Sequence, residues 1–303
     1  MILRVLGSAA GGGVPQWNCA CPNCSAVREG RAPRRTQSCA ALGSEGSSAW
    51  TLLNCSPDIA LQIEEFPPLQ ARRRSDGQHD TPISGILLTD ANVDHVGGLA
   101  VMRQDGSHRF TVRSSESVRA IATVQPAFAP FALPPHRWLC DRRCAPVNEE
   151  DPIGNLFDVR AFSVPGLTPG YAGRARIEDA VFAYDIRDRR SGGRLLFAPV
   201  YEGIDDELFA AISRADVALL DGSFYTDDEM RSAGLMNKNA RDLGHLPVGD
   251  SGGTLDRLEG IRTRVIFTHL NNSNPMLDPA SEAAQRVGER GFEIAYDGLE
   301  VVV

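Results

Sequence analysis

The sequence predicts an α/β fold in which sheets are covered by helices. Three apolar runs, at 86–88, 217–220 and 265–267, are continuous, which is typical of strands that are covered on both faces. Helical patterns alternate with these and other short strands, and no repeat at solenoid spacing is present. We therefore predict a single domain that covers residues 1–303.

The remaining elements follow in chain order. The first strand runs into a glycine-rich segment, 7–13, where the backbone can approach another group closely. A proline-rich connector is predicted at 126–135, and the last helix is predicted to begin after a capping Asp278 with Pro279 in its first turn. Strands are predicted at 2–6, 50–54, 85–89, 110–112, 195–198, 217–220, 264–268 and 292–295, and helices at 96–103, 115–124, 205–215 and 279–290.

Composition excludes several classes of function. A net charge of −8 argues against a nucleic-acid partner, because phosphate backbones require clustered Lys and Arg. The short basic run at 72–74 is interpreted as a solvated loop. The largely apolar run at residues 1–6 is too short, and too soon followed by glycines, for us to expect a signal peptide, and no stretch approaches the ~18 consecutive apolar residues of a membrane span. We therefore expect a cytoplasmic protein without a membrane partner.

Three cysteines fall within one short segment, Cys19, Cys21 and Cys24. Three thiolates on such a loop can supply most of a tetrahedral zinc shell, so we predict a structural zinc site whose fourth ligand comes from elsewhere. Redox thiols and unbound core cysteines are the alternatives. Cys39 and Cys55 are predicted to be small buried hydrophobic residues, and the C-x-x-x-C spacing at 140–144 is a weak metal signal.

Polar residues of ligand type follow three of the apolar strands. Because α/β sheets place their sites just beyond strand ends, these residues are expected to converge, although a surface turn is the alternative for the first group. They are Asp90, Asn92, Asp94 and His95 after the first run, Asp221 after the second and His269 after the third.

These three positions together resemble the metallo-β-lactamase superfamily. The resemblance implies a four-layer αββα sandwich with the site at one edge of the paired sheets. In that superfamily the positions of Asp90 and Asn92 are usually histidines, and the segment 163–171 lacks a histidine that many members have. The usual dizinc ligands are therefore incomplete, and water activation by a bridged zinc pair is less favoured.

The C-x-C-x-x-C segment narrows the resemblance to the branch that contains phosphonate-pathway phosphodiesterases. The segments 90–95, 220–224, 236–238, 244–247 and 268–275 resemble the PqqB family of pyrroloquinoline quinone (PQQ) biosynthesis proteins, and this similarity covers essentially the whole chain. It implies an iron-dependent hydroxylase that acts on the tyrosine ring of the crosslinked Glu–Tyr precursor derived from PqqA. A non-catalytic carrier of PQQ is the alternative, and a metal-dependent hydrolase is less favoured.

Carboxylates with few imidazoles suit iron or manganese better than catalytic zinc. Because the resemblance implies an iron enzyme, we predict an active-site Fe(II). Asn92 is predicted as a ligand or as a supporting residue. In the related phosphodiesterases, a histidine three residues after the His269 position completes the zinc shell, and here that position is Asn272. The fourth zinc ligand is therefore either His269 or a group from another segment. The predicted iron ligands are Asp90, Asn92, Asp94, His95, Asp221 and His269.

Catalytic roles are predicted for His245, Asp94 and His95. His245 is interpreted as a substrate contact or proton shuttle, with a hydrogen-bonded loop histidine as the alternative. Lys238 and Arg241 are predicted to bind substrate carboxylates, with a solvated face as the alternative. The expected small-molecule partner is the Glu–Tyr precursor or PQQ, and a homodimer is left open. Three further histidines, His79, His108 and His136, are assigned to the surface or the core.

Overall fold

The computed structural model describes residues 1–103, 110–141 and 153–303. Its strands are β1 (Ile2–Gly7), β2 (Cys39–Gly43), β3 (Trp50–Leu53), β4 (Arg72–Arg73), β5 (His79–Asp80), β6 (Ile83–Leu87), β7 (Thr111–Ser114), β8 (Arg137–Cys140), β9 (Phe157–Ser163), β10 (Phe182–Asp188), β11 (Arg194–Ala198), β12 (Val217–Asp221), β13 (Arg264–Thr268), β14 (Glu293–Ile294) and β15 (Glu300–Val302). Its α-helices are α1 (Pro22–Arg28), α2 (Ile59–Glu65), α3 (Val93–Val96), α4 (Gly98–Met102), α5 (Glu116–Thr123), α6 (Asp206–Arg214), α7 (Glu229–Ser232), α8 (Thr254–Arg257) and α9 (Glu282–Glu289).

Two mixed sheets form the centre of the fold. The first has the strand order β15-β1-β2-β3-β6-β7-β8, and β3, β6, β7 and β8 are parallel. The second has the order β14-β13-β12-β11-β10-β9, and β11 to β14 are parallel. The carboxyl ends of neighbouring parallel strands lie at one edge of a sheet, so residues that follow β6, β12 and β13 can converge.

The apolar residues form three cores that define four layers. The middle core lies between the sheets and takes Leu3 and Leu87 from the first sheet and Leu219 from the second. One outer core packs α6 and α9 on the second sheet, and the other packs α2 and α5 on the first. Alternate residues of β12 enter different cores, which explains its continuous apolar run. The predicted αββα sandwich is confirmed.

The predicted helix at 96–103 is wrong as a single element. The helical segment begins earlier, at Val93, and divides at Gly97 into α3 and α4. A Cβ on Gly97 would lie 2.8 Å from Cγ of Pro57, and one on Gly98 would lie 2.3 Å from the carbonyl oxygen of Ser56. The two glycines therefore let this segment pack closely against the turn after β3.

The last helix also starts later than predicted. The cap is Ser281, whose hydroxyl accepts a hydrogen bond from the backbone N–H of Ala284 at 3.1 Å. The carboxylate of Asp278 instead accepts from the N–H of Ala280, so Asp278 and Pro279 form the turn before the helix. The predicted strands agree with β1, β3, β6, β7 and β11 to β14 to within two residues.

Sequence reasoning missed β2, β8, β9, β10 and β15, and also the short exposed strands β4 and β5, of which β4 falls on the basic run that was interpreted as a loop. Strand β10 reads Phe-Ala-Tyr-Asp-Ile-Arg-Asp, and its buried Asp185 is paired with Arg194 of β11 at 2.9 Å. Charged residues within this strand interrupt the apolar run by which strands were recognised. None of the helices in the described ranges is both long and apolar enough to span a bilayer.

Candidate metal centres

Loops after β6, β12 and β13 bring the predicted ligand residues together. Asp94 and His95 lie in α3, which follows β6, while Asp221 ends β12 and His269 directly follows β13. His269 has a φ of 60°, a left-handed conformation that is costly for a residue with a side chain. The turn at His269 thus departs sharply from the strand direction where the site begins.

His95 is fully buried and is oriented by Asp90. Its Nδ1 lies 2.6 Å from Oδ2 of Asp90, and this carboxylate also accepts a hydrogen bond from the hydroxyl of Thr89 at 2.8 Å. An ionised carboxylate only accepts, so Nδ1 carries the proton and Nε2 of a neutral His95 presents a lone pair. No hydrogen-bond partner of this buried Nε2 is present in the described structure. A ligating histidine has this arrangement.

His269 connects the two sides of the cluster. Its Nε2 lies 3.0 Å from Oδ2 of Asp94, and its Nδ1 lies 2.7 Å from Oγ of Ser223. The Ser223 hydroxyl donates to Oδ1 of Asp221 at 2.6 Å, so Oγ is free to accept from Nδ1. Nε2 of a neutral His269 then directs a lone pair at the Asp94 carboxylate. A cation between these two acceptors would satisfy both.

Electrostatics in the cluster favour bound positive charge. Burial alone would lower the pKa of His95, but the carboxylates of Asp90 and Asp94 raise it to about 9. Burial opposes ionisation of Asp94, but the nearby imidazoles of His95 and His269 hold the pKa of its carboxyl well below the usual range. The carboxylates are thus ionised at neutral pH, in the state that a metal ion requires, and a bound metal ion would replace the proton that these carboxylates otherwise favour on Nε2 of His95.

Two overlapping sets of ligand atoms lie close enough to hold a metal ion. In each set the ligand atoms lie within 4.8 Å of one another. One consists of Asp94, His95 and His269, and the other of Asp221, His245 and His269. These residues fit a metal ion, because the ligand atoms converge and the buried Nε2 of His95 has no hydrogen-bond partner among the described residues.

The structure changes the predicted roles of three residues in this region. Asp90 contacts Nδ1 of His95, and Asn92 donates to Asp90 from both its N–H and its side-chain amide at 2.8 Å. Both residues therefore lie outside the two ligand sets, Asp90 behind His95 and Asn92 at the lining of the adjacent cavity. His245, in contrast, lies within one set, with Nδ1 2.7 Å from Oδ2 of Asp221. The site is richer in imidazoles than the sequence suggested.

The cluster opens into a cavity of about 250 Å³. Asp94, His245 and His269 form its floor, and Thr168, Gly170 and Arg174 lie on its wall. Tyr171 fixes this wall to the site, because its hydroxyl donates to the carbonyl oxygen of Ala91 at 2.5 Å. Lys238 and Arg241 are not among the described residues that line the cavity, so the structure places both predicted substrate contacts outside it. Sequence reasoning assigned no role to Ser223, although it lies in the segment 220–224, and it missed Arg174, which belongs to no motif.

The three predicted zinc ligands form a second, separate centre. Cys19, Cys21 and Cys24 are buried, and their sulfur atoms lie within 4.8 Å of one another. The side-chain amide of Asn272 lies at the fourth corner, with its nitrogen 3.0 Å from Sγ of Cys19 and 3.6 Å from each of the other two sulfur atoms. The amide nitrogen and oxygen exchange positions by a half turn, which would direct Oδ1 at a metal.

His269 does not complete the thiol centre. Both of its ring nitrogens contact the other cluster, so the described structure groups His269 with the carboxylates and not with the three cysteines. Cys39 and Cys55 are buried as predicted, and burial raises the pKa of the Cys39 thiol to about 12. Cys140 is half-buried, whereas Cys144 and His108 lie outside the described residues.

Comparisons with known proteins agree with this architecture. The beta-lactamase superfamily domain matches residues 49–270. Coenzyme PQQ synthesis protein B from Cupriavidus necator is 39% identical over 319 residues, which cover 99% of each chain, and its counterpart from Rhizobium meliloti is 38% identical over 98% of this chain and 96% of that protein. The crystal structure of Zn²⁺-bound PqqB from Methylobacterium extorquens is 34% identical and covers 100% of both chains with a TM-score of 0.91.

Proposed function

The chain belongs to the family of coenzyme PQQ synthesis protein B within the beta-lactamase superfamily, and from this premise we propose that it hydroxylates the tyrosine ring of the crosslinked Glu–Tyr precursor of PQQ with ferrous iron. A role in PQQ biosynthesis follows from the family. The reaction and the metal are the parts that this proposal adds.

The observation that carries the proposal is the ligand set of Asp94, His95 and His269, of which Asp94 and His269 line an open cavity. Two histidines and one carboxylate on one side of a metal, with the other positions open, are typical of non-haem iron oxygenases. Ferrous iron, when bound there, would supply the activation of dioxygen. Asp221 and His245, next to this set, provide additional polar groups without closing the cavity.

The residues around the ligands would hold them in position before any metal binds. Asp90 keeps the proton of His95 on Nδ1, and Ser223 keeps that of His269 on the same atom. Each Nε2 is thereby available as a ligand atom. Such supporting hydrogen bonds orient ligands and typically change metal affinity 10–100-fold when they are removed.

His245 is the residue that we assign to proton transfer. Its Nδ1 donates to the ionised Asp221, which leaves Nε2 to accept a proton. The His245 side chain is 13% exposed and lines the cavity, so a phenol that binds in the cavity would lie near its ring. Imidazole is suited to this role, because one ring nitrogen can accept a proton while the other stays hydrogen-bonded.

For the thiol centre we propose a structural zinc ion held by Cys19, Cys21 and Cys24, with Asn272 at the fourth position. Its donors are buried and it is closed to the cavity, as expected of a structural site. The Zn²⁺-bound state of PqqB from Methylobacterium extorquens supports zinc binding within the family.

The test is anaerobic loading of the protein with ferrous iron, followed by addition of the Glu–Tyr precursor, ascorbate and air. One oxygen atom of O₂ enters the ring, and the other leaves as water with two electrons and two protons from the reductant. We expect oxygen consumption and a hydroxylated product in mass spectra, and neither should occur with the Asp94→Asn variant. Iron-loaded wild type that binds the precursor but yields no product would contradict the hydroxylase.

Two other outcomes identify the alternatives. Tight binding of finished PQQ to metal-free protein, together with absent turnover, would indicate a carrier. Zinc-dependent cleavage of a generic phosphodiester would indicate a hydrolase, for which the second ligand set of Asp221, His245 and His269 offers a place for a second metal.

A further inference from the structure

The loop 168–175 forms one wall of the cavity and is fixed at both its base and its tip. At the base, Thr168 and Ala175 exchange backbone and side-chain hydrogen bonds of 2.9 and 2.8 Å. At the tip, the Tyr171 hydroxyl donates to the carbonyl oxygen of Ala91, which lies between Asp90 and Asn92. The loop is therefore tied to the same turn that carries the metal ligands.

Arg174 lies on this loop and lines the cavity. No other arginine or lysine lines the cavity within the described part of the chain. The guanidinium extends over Gly170, because a Cβ built on that glycine would lie 3.4 Å from both Nε and Nη2 of Arg174. It has no carboxylate within salt-bridge distance among residues 1–103, 110–141 and 153–303.

The neighbouring arginine shows what an ordinary surface residue does on the same loop. Arg176 forms a two-pronged ion pair with Glu202, with distances of 2.8 and 3.0 Å. Arg174 forms no such pair with the described residues, although it lies only two residues away. Within this part of the chain its donors are available to a ligand in the cavity.

The backbone at Arg174 adds an independent observation. Its φ is 51°, directly after Gly173 at 93°, so two successive residues adopt the left-handed conformation. Glycine adopts this conformation at little cost, whereas a residue with a Cβ is strained there. An arginine at a position that suits glycine indicates that the side chain has a role besides the turn.

We propose that Arg174 binds a carboxylate of the substrate and positions the ring over the metal ligands. This inference rests on the proposed function for the identity of the substrate, since PQQ and its Glu–Tyr precursor carry several carboxylates. A cavity whose floor includes ionised Asp94, in a chain with a net charge of −8, would otherwise repel such a ligand. The guanidinium fork matches a carboxylate with two parallel hydrogen bonds.

The experiment measures binding of two probes to zinc-loaded protein, which does not turn over: PQQ and benzene-1,3,5-tricarboxylate, by calorimetry. We expect Arg174→Gln to weaken both probes at least about tenfold, and Arg174→Lys to recover part of the loss because it keeps the charge. Arg176→Gln is the matched control and should change neither affinity more than about twofold. Raised salt should weaken wild type more than Arg174→Gln.

A third variant separates binding from folding. Arg174→Gly removes the guanidinium but suits the left-handed turn, so we expect thermal stability at least equal to that of Arg174→Gln and the same loss of affinity. Equal affinities of wild type and Arg174→Gln, or a wild type that binds neither probe, would overturn the inference. Arg174-dependent binding of the tricarboxylate without turnover of the precursor would support the inference and contradict the proposed hydroxylase.

Discussion

The thiol centre and the histidine–carboxylate centre share one loop after β13, yet they are built differently. Asn272 at the thiol centre and His269 in the other lie three residues apart. The thiol centre takes three of its ligands from one short segment and is buried. The other centre takes its groups from loops after β6, β12 and β13, and its Asp94, His245 and His269 line a cavity. The centre whose ligands are close in sequence is thus closed, whereas the centre whose ligands come from separate loops is open.

The shared loop suggests that the closed centre fixes the open one. The side-chain amide of Asn274 donates to the carbonyl oxygens of Gly222 and Ser223 at 2.7 and 3.1 Å, next to Asp221. The N–H of Asn271 also donates to the carbonyl oxygen of Ser223. A metal held by the thiols and Asn272 would therefore hold His269 and Ser223 at a constant separation.

The largest effect is expected at the thiol centre. Cys24→Ser should remove one equivalent of zinc and lower the free energy of unfolding by more than about 4 kcal/mol, because metal binding contributes directly to folding. Metal analysis and urea unfolding would measure both. Cys140→Ser, at a half-buried cysteine outside the centre, should keep the zinc. If Cys24→Ser retained its zinc, the thiol centre would not be the zinc site, and the comparison of the two centres would be refuted.

A buried acid behind the shared loop should give the next largest effect. Glu229 accepts from the hydroxyl of Ser273, and burial raises the pKa of its carboxyl to about 7. The folded protein therefore binds this proton more tightly than the unfolded chain does. The contribution of Glu229 to the free energy of unfolding is complete below the pKa of the unfolded chain, near 4.5, and is lost as the pH rises through about 7. As the pH rises from 4.5 to 8, the free energy of unfolding of Glu229→Gln should therefore increase by up to about 3 kcal/mol relative to that of wild type.

Urea unfolding across that pH range measures the difference. Glu65→Gln, at an exposed glutamate, is the control and should track wild type at every pH. A Glu229→Gln variant whose stability also tracks wild type would show that the segment around Ser273 tolerates charge and is not closely packed behind the loop.

Asp90→Asn distinguishes a supporting carboxylate from a ligand. Because Asp90 orients His95 through Nδ1, the variant should lower iron affinity 10–100-fold while the fold is retained. Competition with a chelator under anaerobic conditions would measure the affinity. Asp216→Asn, before β12 and at the opposite end of that strand from Asp221, should have no effect. Complete loss of iron, as expected for Asp94→Asn, would restore the sequence-based prediction that Asp90 is a ligand.

The smallest effect is expected from Asn23, which joins the thiol segment to the shared loop. Its side-chain amide donates to the carbonyl oxygens of Asn272 and Asn274 at 3.0 and 2.9 Å. Asn23→Ala should cost about 1 kcal/mol of stability and weaken zinc binding a few-fold. Thermal unfolding with and without a chelator would measure this. A loss as large as that of Cys24→Ser would mean that the hydrogen bonds, and not the metal, hold the loop.

Sequence reasoning predicted those features that depend only on residues close to one another in the chain. The thiols lie on one segment, and the apolar runs of β6, β12 and β13 lead directly to Asp90, Asp221 and His269. Strands such as β10 were missed because their pairing partners satisfy charged residues that the sequence alone shows as interruptions.

Roles that depend on side-chain direction could not be predicted. Asp90 and Asp94 lie in the same turn, and only the fold shows that one contacts Nδ1 of His95 and the other Nε2 of His269. The spacing of residues in the sequence likewise did not decide whether His269 belongs to the thiol centre or to the histidine–carboxylate centre. Arg174 carries no motif, and its left-handed backbone and position on the cavity wall appear only in three dimensions.

A metal analysis of wild type beside the Asp94→Ala, His95→Ala double variant, both reconstituted anaerobically with zinc and ferrous iron, tests the two centres together. We expect one zinc and one iron per wild-type chain, and loss of the iron alone from the double variant. Loss of zinc together with iron, or an unchanged iron content, would contradict the assignment of a closed zinc centre and an open iron centre.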